Sequence, residues 1–179
     1  MLSRIAHSLI GTRLSIGSVR QVISERFDRR LLAFAVMIII AAVTFQHYFV
    51  FGVNATPSLP HTLYLIHKGE PIGRGDLIAF RWAGGGPYIA GITFVKIAAG
   101  VPGDTISRHE RDYYVNGLYV GTAKRYAKDG AALALMDTGV LNADEYYVQA
   151  PHLDSLDSRY RLTGWIAANR IIGRAYALF

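Results

Sequence analysis

The chain has 179 residues, enough for one domain of ordinary size with an appendage. It contains no cysteine, which excludes a disulfide framework, a thiolate metal site and a cysteine nucleophile. The formal net charge of +6 is unevenly spread: six arginines precede residue 31 against only Glu25 and Asp28, while the other 13 basic and 11 acidic residues lie beyond residue 53. That later part is nearly balanced and has neither zinc-finger spacing nor an aromatic–basic ribonucleoprotein motif, which argues against a nucleic-acid-binding domain.

The first element in chain order is a basic arm, residues 1–30, rich in Arg and Ser and poor in acids. Such an arm suits a lipid surface; a mitochondrial presequence has the same composition. Residues 31–53, from Leu31 to Val53, contain no Asp, Glu, Lys or Arg. As a helix they would rise about 35 Å, enough to cross a hydrocarbon core of about 30 Å with some tilt. A buried core helix is the alternative, but the unbroken apolar run argues against it. A cleaved signal peptide has a shorter apolar region and a small-x-small site, which is missing here. Phe45, Tyr48, Phe49 and Phe51 cluster near the end of the run, as in an interfacial belt. Arg26, Arg29 and Arg30 flank its start, so residues 1–30 are expected in the cytoplasm and residues 54–179 across the membrane, in the periplasm of a Gram-negative cell.

Beyond the anchor, short β-rich runs alternate with Gly, Pro, Asn and Asp. Strands are expected over Thr62–His67, Leu77–Trp82, Tyr88–Ala98, Tyr113–Gly121, Glu145–Ala150 and Arg170–Tyr176. Asn116-Gly117 inside the fourth run signals a two-residue hairpin with positive φ at both positions. Gly84-Gly85-Gly86-Pro87 reads as a loop, and Ala131–Met136 as a strand or a short helix. The expected domain, residues 54–179, is mainly β, a folded sheet or barrel behind one N-terminal transmembrane helix.

There is no Gly-x-Ser-x-Gly elbow, no phosphate-binding glycine loop and no His-x-x-x-His spacing, so no metal or cofactor is expected. His61, His67, His109 and His152 read as surface or structural residues. Ser58 stands between Pro57 and Pro60, which keep the backbone extended; a linker serine looks the same. Lys96 lies in the apolar run Ile92–Ala99, where alternation puts Phe94, Lys96 and Ala98 on one face. Burial there would favour a neutral amine able to act as a base. An edge-strand lysine that blunts aggregation gives the same pattern.

Six segments in order resemble the type I signal peptidase family, and within it the TraF-type peptidases of conjugative transfer. Asn54-Ala55-Thr56-Pro57-Ser58-Leu59-Pro60, followed by Tyr64, is similar to the TraF-type nucleophile segment. Arg74–Phe80 resembles the family's Arg-Gly-Asp strand, and Val95–Asp104 the segment that holds the catalytic lysine. The Asn116-Gly117 hairpin, Ser155-Leu156-Asp157-Ser158-Arg159-Tyr160 and Ile171–Ala175 fall where the family has matching elements. Thr62 replaces a frequent Gly, the aromatic-Gly pair is missing after Tyr160, and no Gly-Asp-Asn precedes Ser155. The resemblance implies a Ser58 nucleophile and a Lys96 general base. It implies an oxyanion donor at Thr56, which also reads as a turn-forming hydroxyl, and Ser155 holding the lysine amine. Asp157 and Arg159 match a nearby structural pair.

The implied activity is proteolysis of a membrane-bound precursor, with the bilayer and conjugative transfer components as partners. The favoured substrate is a conjugative pilin subunit, in some family members closed into a ring. A general signal peptidase acting on secretory precursors and a non-catalytic β domain of a secretion complex are the rival readings. A self-cleaving repressor is disfavoured, because a membrane segment stands where a helix-turn-helix would be.

Overall fold

In a computed structural model, residues 16–53 and 58–179 are described, with side chains from Asp28 onward. The start of the basic arm and Thr56 lie outside the described residues. The chain divides into a unit ending at Phe45 and a β unit, Gln46–Phe179.

Helix α1 runs from Ile16 to Tyr48. Its portion Asp28–Tyr48 has 21 residues with a mean hydropathy of 2.0, long and apolar enough to cross a membrane. The helix expected to reach Val53 stops at Tyr48, and Phe49–Val53 forms strand β1 instead. Apolarity alone cannot separate the two states here, but pairing does. β1 takes a complete antiparallel register on β2 (Leu63–Lys68), from Phe49 opposite His67 to Val53 opposite Leu63. The Phe49 ring stacks on His67 with centroids 4.7 Å apart. Lys68 Nζ donates to the Gln46 carbonyl at 2.6 Å, placing a cation at the negative end of the helix.

The remaining strands are β3 (Leu77–Arg81), β4 (Thr93–Gly100), β5 (Thr105–His109), β6 (Asp112–Val115), β7 (Leu118–Thr122), β8 (Gly139–Val140), β9 (Glu145–Gln149), β10 (Ile166–Ala167) and β11 (Ile171–Ala177). They form a seven-stranded sheet ordered β1-β2-β11-β3-β4-β9-β10 and a four-stranded sheet ordered β7-β6-β5-β8. The mainly β expectation holds. Asn116 and Gly117 adopt φ of 49° and 80°, the positive values that a tight hairpin between β6 and β7 requires. Residues 131–136, expected as strand or short helix, form neither: two isolated bridges, Tyr126–Ala132 and Leu135–Tyr160, hold that stretch.

Three consecutive residues of β3, Ile78–Phe80, are buried, so both faces of this stretch are apolar rather than alternating. Ile78 and Phe80 pack with Trp82, Ala98, Val148 and Ile166 on one side. Ala79 packs with Tyr64, Ile66 and Ala175 on the other. A third cluster, including Ile106, Tyr113, Leu141 and Tyr147, lies under the four-stranded sheet. β11 crosses β2 so closely that a Cβ at Gly173 would sit 1.9 Å from the His67 carbonyl oxygen. Gly173→Ala is therefore expected to lower stability by about 2–4 kcal/mol, read as a fall in the thermal midpoint of the full chain in detergent. An unchanged midpoint would show that the β2–β11 contact gives way cheaply.

Candidate active site

Ser58 lies in the turn that leads to β2, only 7 % exposed. The next residue, Leu59, is packed in the core with Tyr64, Ala150 and Ala175, so the backbone around Ser58 is anchored from below.

Lys96 stands on β4 opposite Ile78, on the same face as Phe94, which is opposite Phe80. It is 4 % exposed, which excludes the solvated edge-strand reading. Its amine lies 5.6 Å from the centre of the Phe94 ring. That ring is stacked on Trp82 at 4.8 Å and met edge-on by Tyr88 at 5.2 Å. Burial brings the Lys96 ammonium down from 10.5 to about 8; the nearby Arg159 guanidinium pushes the same way, and the Asp157 carboxylate opposes both. A fraction of the amine is thus neutral near pH 8, with a lone pair available for a proton.

Lys96 Nζ donates to Ser155 Oγ at 2.8 Å. The loop that carries Ser155 is held at several points. The Ser155 N–H donates to the His152 carbonyl at 3.0 Å. Asp157, fully buried, takes two hydrogen bonds from the Arg159 guanidinium, Nε to Oδ1 at 2.8 Å and Nη2 to Oδ2 at 2.7 Å. Arg159 Nη1 donates to the Thr122 carbonyl at 2.8 Å, joining this loop to β7. Ser158 Oγ accepts from the Val148 N–H at 3.0 Å and donates to the Gly164 carbonyl at 2.7 Å. The Ser-x-Asp-Ser-Arg pattern is therefore a knot of internal bonds that presents Ser155 to the amine.

Ser58, Lys96 and Ser155 line one cavity of about 690 Å³. Asp157 and Arg159 are not among its walls and act from behind, through the loop. Thr56 lies outside the described residues. The four β4 residues Thr93–Lys96 all line the cavity. β9 pairs with β4 only from Ile97 onward, so this stretch is an edge among the described strands. An edge facing a cavity can accept an extended chain as an added strand.

Some site features are not legible in the sequence. Asp154, next to Ser155, is paired with both Lys124 and Lys128, residues about thirty positions away. His152, read as structural, accepts the Asp154 N–H on Nδ1 at 3.2 Å and so shapes the Ser155 turn. No local pattern announces contacts across such separations.

A buried amine of lowered pKa over a cavity that also contains a serine is the equipment of a serine hydrolase using a lysine base. The model of the family described as signal peptidase, peptidase S26, matches residues 23–179. The chain belongs to that family of serine peptidases. It is 28% identical over 162 residues to a signal peptidase I of Bacillus amyloliquefaciens, covering 83% of this chain and 81% of the relative. The crystal structure of a signal peptidase I from Enterococcus faecalis matches with a TM-score of 0.39 and 20% identity, over 62% of this chain and 98% of that one.

Ser155→Ala is expected to lower kcat about tenfold to a hundredfold with little change in KM, because the amine loses its orienting partner but stays buried. A rise in KM at constant kcat would assign Ser155 to substrate binding instead.

Proposed function

We propose that this chain is a membrane-anchored endopeptidase in which Ser58 is the nucleophile, Lys96 the general base and Ser155 the group that orients the amine. The observation that carries this reading is the buried Lys96, bonded to Ser155 and sharing a cavity with Ser58. Ser58 Oγ attacks the scissile carbonyl carbon as Lys96 takes its proton. The carbon–nitrogen bond then breaks, and the Lys96 ammonium returns the proton to the departing amine. An acceptor attacks the resulting ester, and Ser58 regains its proton. The Ser58 N–H and the Thr56 hydroxyl serve as oxyanion donors, a role that rests on the family resemblance of Asn54–Pro60.

The reading extends to topology and substrate. Residues 1–30 form a cytoplasmic arm, the apolar run from Leu31 to the helix end at Tyr48 the anchor and the β strands that follow a periplasmic domain, in accord with the arginines that flank the apolar run. The substrate is an exported precursor with its own membrane segment, and the TraF-type pattern around Ser58 favours a conjugative pilin subunit. The Bacillus relative favours a second reading, a general signal peptidase. Mass spectrometry of a candidate propilin and of a secretory precursor, each incubated with the wild type and with Ser58→Ala, separates them. Pilin cleavage that depends on Ser58 supports the first reading, and a further loss of one water identifies ring closure. Cleavage of the secretory precursor alone supports the second. Cleavage that persists in Ser58→Ala sinks both.

A further inference from the structure

The cavity that contains Ser58 and Lys96 does not end at the Ser155 loop. A second chamber of about 450 Å³ adjoins it and shares the walls Pro87, Asp129, Leu133 and Leu156, so the two make one groove. The groove begins at Phe51–Val53 of β1, the strand continuous in sequence with α1, and ends at Arg161 and Leu162. One flank is a small arm, residues 125–133. Its bonds run from the Ala127 N–H to the Ala131 carbonyl at 2.9 Å and from the Leu133 N–H to the Arg125 carbonyl at 2.9 Å, about a turn at Lys128-Asp129-Gly130. The opposite flank is the Gly84–Gly86 loop, which lies so close to Leu162 that a Cβ at Gly85 would be 2.8 Å from its Cδ1.

The charged walls of the second chamber are Asp129 and Arg161. Lys124 and Lys128, which line the first cavity, are both held by Asp154. Arg161 Nη2 donates to both Asp137 oxygens, at 2.8 and 3.0 Å. Asp129 accepts the Ala131 N–H at 3.0 Å and has no ion-pair partner among the described residues. The chamber therefore pairs a wall of alanines and leucines with a carboxylate at the throat that no cation holds among the described residues.

We propose that this second chamber binds the exported side of the substrate, the residues after the scissile bond, and selects a small or aliphatic side chain close to a lysine or arginine. The inference rests on the peptidase reading. A precursor's membrane segment reaches the groove from the β1 end, which is joined to the anchor helix, so the exported portion leaves through the far end. The apolar wall takes the aliphatic side chain, and Asp129 attracts the basic one.

Two synthetic peptides with Ala-x-Ala before the scissile bond test this on the full-length protein in detergent. One ends two residues after the bond, and the other runs six residues on and includes Leu and Lys. The expected long-to-short ratio of kcat/KM is at least about tenfold for the wild type. Ala132→Trp, which fills the chamber, should cut that ratio about fivefold. Asp129→Lys, on the exposed turn, should cut it about threefold and restore it when the peptide lysine is changed to glutamate. A wild-type ratio near one, or a ratio unmoved by both variants, overturns the inference while leaving the peptidase intact. Failure of the wild type to cleave either peptide in a Ser58-dependent way removes the peptidase reading and this inference with it.

Discussion

Lys96→Met is expected to lower turnover by a factor of at least about 10³ while the protein stays folded. Methionine fills nearly the same volume against Phe94 and Ile78, but its thioether is too weak a base to take the serine proton in the proposed mechanism. The substitution should also stabilise the chain at neutral pH. Lys96 titrates near 8 when folded, against 10.5 as the ordinary value. The unfolded state therefore binds more protons between those limits. The cost of a charged, buried lysine is fully present below pH 8 and is relieved as pH rises from 8 towards 10.5. For a group only 4 % exposed, that cost is on the order of 3 kcal/mol, an upper figure because the bond to Ser155 is lost in the variant. Thermal melting of both forms across pH 6–10 checks the sign: the variant's advantage should shrink above pH 8. In the wild type, kcat/KM should rise about tenfold per pH unit and level off above about 8. A profile flat from pH 6 to 9, with activity retained in Lys96→Met, would remove Lys96 from the chemistry.

The second large effect concerns stability. Arg159→Met leaves the Asp157 carboxylate fully buried without its two charged hydrogen bonds and the Thr122 carbonyl without a donor. Removing one partner from a buried pair costs about 3–5 kcal/mol, because the remaining charge keeps only the Ala150 and Arg159 backbone N–H donors and no counter-charge. In a domain of this size that lowers the thermal midpoint by roughly 10 °C. Loss of near-ultraviolet circular dichroism on heating measures it. Replacing Asp157 as well, by leucine, should recover part of the loss, since both charges are then gone. Equal melting of Arg159→Met and the wild type would mean that the pair does not hold the Ser155 loop.

Much of this was readable in the chain because local rules and global structure agree. The Asn116-Gly117 turn and the apolar stretch Leu77–Phe80 of β3 carry signals that depend on few neighbours. Lys96 was ambiguous from alternation alone. Only the packing of Phe94 and the closure by Ser155 distinguish a buried amine from a surface lysine, and Ser155 is 59 residues away. The sequence of β1 reads as a continuation of the helix, since Phe-Val-Phe-Gly-Val is as apolar as the run before it and its pairing partner comes later in the chain. β5, with only Ile106 buried, lacks the hydrophobic alternation that marks a strand. Its existence depends on β6 and β8 beside it. The Asp154 pairing with two lysines is likewise a product of the assembled fold.

The passage from α1 into β1 without a spacer decides where a water-soluble version of the β unit should begin. Trimming at Asn54, where the apolar run ends, would delete an edge strand, bare the backbone of β2 and open the cavity wall at Phe51–Val53. Such a fragment would be prone to strand-to-strand self-association. Starting at Gln46 keeps β1 and the carbonyl that Lys68 caps, and leaves the membrane-length stretch behind.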